Sequence, residues 1–156
     1  MTDQGLWDWA LAAYAREGVS EACLSLQDEY GQNVCLLLFA AWCARTGRRL
    51  DDETLEAAAD AARAWDQAAV QPLRAVRRRL KSPIPDMEDV TRLAARQAVK
   101  AAELAAERGL LSDLEALGPT PTGAPSSDPT PALAQAARAW SRVVPRPALE
   151  TLAGRL

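Results

Sequence analysis

Val34-Cys35-Leu36-Leu37-Leu38-Phe39-Ala40-Ala41-Trp42-Cys43-Ala44 runs between Asn33 and Arg45 without one charged or amide side chain, so a helix over it is apolar on every side. Such a helix needs neighbours all round, either protein or lipid, and a bilayer span takes roughly 20 apolar residues. This run is too short for lipid. It reads as a central helix enclosed by other helices of the same chain.

The rest of the sequence can supply that enclosure. A chain of 156 residues buries a core large enough to stabilise itself without disulfides or metals. Ala, Leu, Arg and Glu are abundant while Ile, Phe and Tyr are scarce, which favours helices over the β-branched and aromatic surfaces that strands select. The expected fold is all-α: a compact helical bundle around a central apolar helix, with a Pro-rich linker and a C-terminal helix. A formal charge of -3 argues against a general nucleic-acid binder. The start, Met1-Thr2-Asp3-Gln4, has no signal-peptide pattern and no later run is long enough to span a bilayer, so the expected location is cytoplasmic, away from membranes. Cys23, Cys35 and Cys43 lie in apolar helical stretches and read as reduced, packed thiols. The sequence contains no histidine, which excludes Ser-His-Asp or Cys-His catalysis and His-ligated metals. No catalytic residue, metal ligand or cofactor is assigned.

Along the chain, Leu6, Trp7, Ala10, Leu11 and Tyr14 recur at helical spacing and predict a helix over Asp3 to Arg16, ended by Gly18. A second follows from Ser20, with Leu24, Leu26 and Tyr30 as its packing residues. Gly31 supplies the left-handed turn into the central helix, and Gly47 ends that helix. Asp51-Asp52-Glu53 opens the next one with a cap and an acidic first turn. The pattern continues to Lys81, with Pro72 either kinking one long helix or sitting in the first turn of a second, and a bend is expected near Gln71. Ser82-Pro83-Ile84-Pro85 breaks the pattern, and a new helix runs from near Asp86 to Arg108, closed by Gly109 and followed by a short turn over Leu110 to Leu117. In it Arg92, Arg96, Lys100, Glu103 and Glu107 form a stripe read as water-facing. Val90, Leu93, Ala94, Ala101, Leu104 and Ala105 form the side read as packed. The Pro-, Gly-, Ser- and Thr-rich stretch 118–131 reads as a mobile linker. The expected organisation is therefore a bundle domain over 1–117, the linker, and a helical segment over 132–156 whose Leu133, Ala136, Ala137 and Trp140 dock on the core or on a partner.

Trp7, Tyr14, Gly18-Val19, Cys23-Leu24, Leu26-Gln27-Asp28, Gly31, Val34, Leu36-Leu37-Leu38, Trp42 and Pro72-Leu73-Arg74 together resemble a family of uncharacterised proteobacterial conserved hypothetical proteins, carrying a domain of unknown function. The likeness covers Leu6 to Lys81, and Cys-Leu-x-Leu-Gln-Asp is its most specific string. Cys35 departs from the pattern, which has Asn there. The resemblance implies an all-helical bacterial protein and no activity.

Two groups of residues are candidates for a site. Gln27, Asp28 and Asn33 flank the turn at Gly31, where the free amides at the start of the central helix suit an anion or a carbonyl. The plainer reading, which capping chemistry favours, has Asp28 and Asn33 satisfying those amides themselves. Arg74, Arg77 and Arg78 recur at helical spacing within the basic cluster Arg74, Arg77, Arg78, Arg79 and Lys81. Arg63 to Lys81 carries a net +5 and Asp51 to Ala62 a net -5, so the plainer reading is that the two stretches neutralise each other. Otherwise the arginines form a face for an anionic ligand or partner. Trp7, Trp42 and Trp65 read as core, whereas Trp9 lies off the Trp7, Leu11, Tyr14 stripe and is the better contact residue. The leading expectation is a non-enzymatic protein-interaction or regulatory module with a protein partner, a homo-oligomer remaining open. The alternative is a binding protein or enzyme for a small anionic ligand held by Gln27, Asp28 and the arginine face. A deep pocket joining those residues would favour the alternative.

Overall fold

The computed structural model describes residues 4–156. Helices α1 (Leu6–Tyr14), α2 (Val19–Tyr30), α3 (Val34–Arg45) and α4 (Asp52–Trp65) are followed by a π-helical turn, Asp66–Val70, that runs directly into α5 (Gln71–Arg79). Then come α6 (Asp89–Leu117), α7 (Thr130–Trp140) and α8 (Arg146–Arg155). No strand occurs among the described residues, and no helix there is long and apolar enough to cross a membrane. Asp3, placed at the start of the first helix by the sequence reading, lies outside the described residues.

The apolar run forms α3, and its surroundings are protein. Val34 and every residue from Leu36 to Cys43 are buried, with α1, α2, α4, α6 and α7 packed around them. Asn33 caps the helix by accepting from Leu36 N at 3.0 Å. Gly18, Gly31 and Gly47 all take positive φ. That conformation lets the chain reverse between helices without a Cβ clash.

Several expected packing faces differ. In α2 the inward residues are Val19, Ala22, Cys23 and Leu26, while Leu24 and Tyr30 are exposed. Leu24 lies off the i, i+3, i+4, i+7 stripe, and Tyr30 is the last residue of the helix, just before the turn at Gly31. Trp42 is buried, its indole N–H donating to Gln4 O at 3.1 Å, but Trp7 and Trp65 are only partly buried. The bend expected near Gln71 takes the form of the π turn just before Pro72. A proline has no N–H to donate and presses on the carbonyl four residues back, and a widened turn accommodates both.

The largest correction concerns α6. Gly109 does not end it; the helix continues unbroken to Leu117 because Gly109 allows close approach to Trp65. The stripe expected to face water is turned inward over the first half: Arg92 and Glu103 are buried, Arg96 and Glu107 partly so, and only Lys100 is exposed. Val90, Leu93 and Leu104, expected to pack, are exposed instead. The reason lies in α5, whose inner face offers arginines and terminal carbonyls rather than aliphatic carbon. Arg77 Nε donates to Glu103 Oε2 at 2.6 Å, Arg92 Nη1 to Leu80 O at 2.6 Å, and Arg96 Nε to Arg77 O at 3.3 Å. The arginines of α6 thus satisfy the last carbonyls of α5, which have no partner within their own helix. From Ala106 onward, with Leu110, Leu111 and Leu114, the buried face of α6 becomes apolar and joins the main core.

The 118–131 segment crosses the α3–α4 turn as a strap. Thr122 N and Gly123 N both donate to Gly47 O at 3.0 Å, and Ser126 N donates to Ala44 O at 2.8 Å. Beyond it, Leu133, Ala136, Ala137, Leu149 and Leu152 enter the same hydrophobic cluster as α3. Trp140 Nε1 donates to Gly31 O at 2.8 Å, which fastens the end of α7 to the α2–α3 turn.

Candidate ligand pocket

Four elements converge around the α2–α3 turn: α1, the first turns of α3, the π turn with α5, and the middle of α6. The hollow between them is an open-mouthed cavity of about 170 Å³. That is below the roughly 300–1,000 Å³ of drug-sized ligand sites, so it suits a small group or molecule. Trp7, Leu11, Leu38, Val70, Leu104 and Leu111 supply apolar wall. Gln27, Gln32, Asp66, Gln71, Arg74 and Glu107 supply the polar groups. The π turn and Pro72 place Asp66, Val70, Gln71 and Arg74 on that wall.

Arg74 is the charged residue at the centre of the polar wall. It is 8 % exposed, its Nη2 donates to Gln27 Oε1 at 3.2 Å, and its Nε lies 3.9 Å from Glu103 Oε1 with no hydrogen-bond partner. Gln32, also buried, has its Oε1 without a hydrogen-bond partner. Both atoms are closed off from solvent, Arg74 Nε facing the Glu103 carboxylate, so they are polarity packed into the wall behind the hollow. Tyr14, Gln27, Val34, Arg74 and Glu107 also border a neighbouring hollow that reaches Arg77 and Glu103. The Arg74–Gln27 bridge therefore stands in the partition between two cavities.

Burial dominates the electrostatics. The Glu107 carboxyl is pushed above its ordinary range by burial first; nearby Glu103 adds to this, while Arg74 and Arg77 oppose it. Burial likewise holds the Cys35 thiol in its protonated form. Cys23 is pushed up to about 11 and Cys43 to about 12 for the same reason. Thiols protonated at neutral pH are poor nucleophiles, and of the three cysteines Cys35 lines the pocket. Among the described residues no three His, Cys, Asp or Glu side chains are grouped so as to hold a metal ion.

The structure brings together only some of the residues singled out in the sequence. Gln27, Asn33 and Arg74 line the pocket, but the Asn33 side chain is engaged as the α3 cap. Arg77 stands behind the wall on Glu103. Asp28 and Arg78 are exposed outside it, 3.8 Å apart. Trp9, partly buried, borders a separate hollow with Arg16 and Arg45. The α4 acids do not neutralise the α5 arginines as expected. Asp60 pairs with Arg63 inside α4 at 3.1 Å, and the arginines turn to Glu103 and Asp28. Of the two oppositely charged stretches, Asp60 and Arg63 thus pair where they adjoin, while α5, following α4 through the π turn, finds its partners elsewhere. Gln32, Glu103 and Glu107 were not singled out as site residues. The only sequence signal for the glutamates is the basic excess of α5, which requires buried counter-charge somewhere.

The chain belongs to the family described as Protein of unknown function (DUF2390), whose model matches residues 5–114. The match extends the resemblance seen over Leu6 to Lys81 through most of α6, and it contains every residue lining the pocket except Trp140. No curated protein and no solved structure matches the chain.

Proposed function

We propose that this DUF2390 protein binds a small organic anion with an apolar body, the anionic group meeting Arg74 and Gln27 and the body lying against Trp7, Leu11 and Val70. The observation that carries this reading is the position of Arg74: an arginine 8 % exposed, bridged to Gln27 from another helix, on the wall of a pocket lined by both polar and apolar side chains. A planar fork of donors in low dielectric recognises carboxylate or phosphate more strongly than any surface arginine does. The Glu107 carboxyl on the same wall is raised above its ordinary range, first by burial. The pocket supports this reading over the flat adaptor surface that the sequence favoured.

The test is thermal stabilisation of the full chain by benzoate, indole-3-acetate, decanoate and inorganic phosphate, each beside its neutral amide where one exists. A true ligand at a hundredfold excess over Kd stabilises by about 2.7 kcal/mol, a shift of several degrees. Q27L and R74K should fold and lose that shift, since each breaks the bridge while preserving side-chain bulk. Equal stabilisation by acid and amide, or an undiminished shift in both variants, would overturn the reading.

A further inference from the structure

We propose, resting on the pocket reading above, that the anionic group this pocket holds is the carboxylate of an α-amino acid with an apolar side chain, whose ammonium group is taken by Glu107. Charge narrows the ligand first. The charged residues lining the hollow are Arg74, Asp66 and Glu107, one cation against two acids. A ligand that is only an anion gains Arg74 and meets like charge on the same walls. A ligand with a positive group beside its carboxylate meets no such conflict.

The state of each charged group then assigns the contacts. Asp66 Oδ1 already accepts from Gln71 Nε2 at 3.1 Å. Arg74 Nη2 is committed to Gln27 and its Nε faces Glu103, so Nη1 is the donor of the fork that remains for a carboxylate. Glu107 is half-buried, and among the described residues no hydrogen bond or ion pair reaches its carboxylate. Burial raises its pKa, and Arg74 and Arg77 offset only part of that from longer range. A half-buried carboxylate without a close cation is the acceptor that an ammonium group completes.

Size agrees with the assignment. An α-amino acid carries both charged groups on one carbon, and Arg74 and Glu107 border the same two hollows. Its side chain is left to the wall of Trp7, Leu11 and Val70. A cavity of about 170 Å³ is close to the roughly 150 Å³ of an apolar cavity that takes up benzene, so side chains up to one ring, such as those of leucine and phenylalanine, match it.

Calorimetric titration of the full chain at neutral pH tests this with phenylalanine and leucine, each beside the acid that lacks the amine (3-phenylpropanoate, 4-methylpentanoate) and the amine that lacks the acid (2-phenylethylamine, 3-methylbutylamine). At least one amino acid should bind about tenfold more tightly than either of its fragments, the order that one charge-assisted hydrogen bond contributes. Glu107→Gln should remove that preference, weakening the amino acid about tenfold without weakening the matching acid. A merely structural role for Glu107 would instead weaken both ligands alike. Acids that bind as tightly as their amino acids, or an equal loss of both in Glu107→Gln, would overturn the amino-acid assignment and leave the anion reading standing. Amines that bind as tightly as their amino acids, or no binding by any acid or amino acid, would sink the anion reading and this assignment with it.

Discussion

Arg77 and Glu103 meet across 2.6 Å between α5 and α6, and the other oxygen of the same carboxylate lies 3.9 Å from Arg74. One acid thus serves two guanidiniums in a place the sequence had marked as open surface. Removing one member of a buried ion pair leaves the other charge desolvated and uncompensated, at a cost of about 3–5 kcal/mol. Glu103→Gln should destabilise the protein by that order in urea titrations. Arg78→Gln, which disturbs only an exposed pair, should change stability by about 1 kcal/mol or less. Equal effects from the two would show that the Glu103 cluster is solvated.

The enclosed helix makes its own prediction. Leu37 and Leu38 are each 1 % exposed, so Leu37→Ala or Leu38→Ala should cost about 2–5 kcal/mol through lost burial and the cavity left behind. Melts of both variants check it, and losses below about 1 kcal/mol would contradict an α3 surrounded on all sides.

Gly109 is tied to Trp65 by space rather than by backbone conformation. A Cβ at 109 would lie 2.6 Å from the Trp65 ring, whose Nε1 donates to Asp113 Oδ2 at 2.7 Å. Alanine is intrinsically better in a helix than glycine by about 1 kcal/mol, yet the clash should outweigh that gain. Gly109→Ala is therefore expected to lower the melting temperature and alter tryptophan fluorescence. A rise in stability would mean that the ring yields freely.

At Gly47 the strap and the backbone make a joint demand. Its φ is +71°, and a Cβ there would stand 2.1 Å from Gly123 O. Gly47→Ala should thus release the strap and speed proteolysis within 118–131 relative to wild type. Cleavage there at the same rate in both proteins would show that the hydrogen bonds to Gly47 O do not hold the segment.

Glu107 links stability to pH. Its folded pKa is raised above the ordinary 4.5, so between that value and the raised one the folded protein keeps a proton that the unfolded chain has released. Its contribution to stability is present below 4.5 and falls as pH rises through that window. Glu107→Gln should flatten this part of the stability profile and be relatively more stable toward neutral pH. Denaturation curves for both proteins from acidic to neutral pH decide it, an unchanged slope assigning the dependence to other groups.

By itself the sequence determined the helical class, the enclosed α3 and the glycine turns, because each rests on local chemistry. An all-apolar run has to be surrounded, and a residue with positive φ is most readily a glycine. An interruption of the α-helical pattern before Pro72 was equally legible, since a proline always removes the same donor. What only the tertiary structure decided was the orientation of α6 and the composition of the pocket. Two stripes of that helix, one apolar and one charged, were each consistent with burial or exposure. The choice fell to α5, whose arginines and terminal carbonyls offered the charged stripe more than the main core offered Val90 and Leu93. Gln27, Arg74 and Glu107 lie far apart in the chain and meet only because that orientation brings α2, α5 and α6 to one wall. Periodicity reports that a helix has two faces, whereas the neighbour it packs against determines which face is buried.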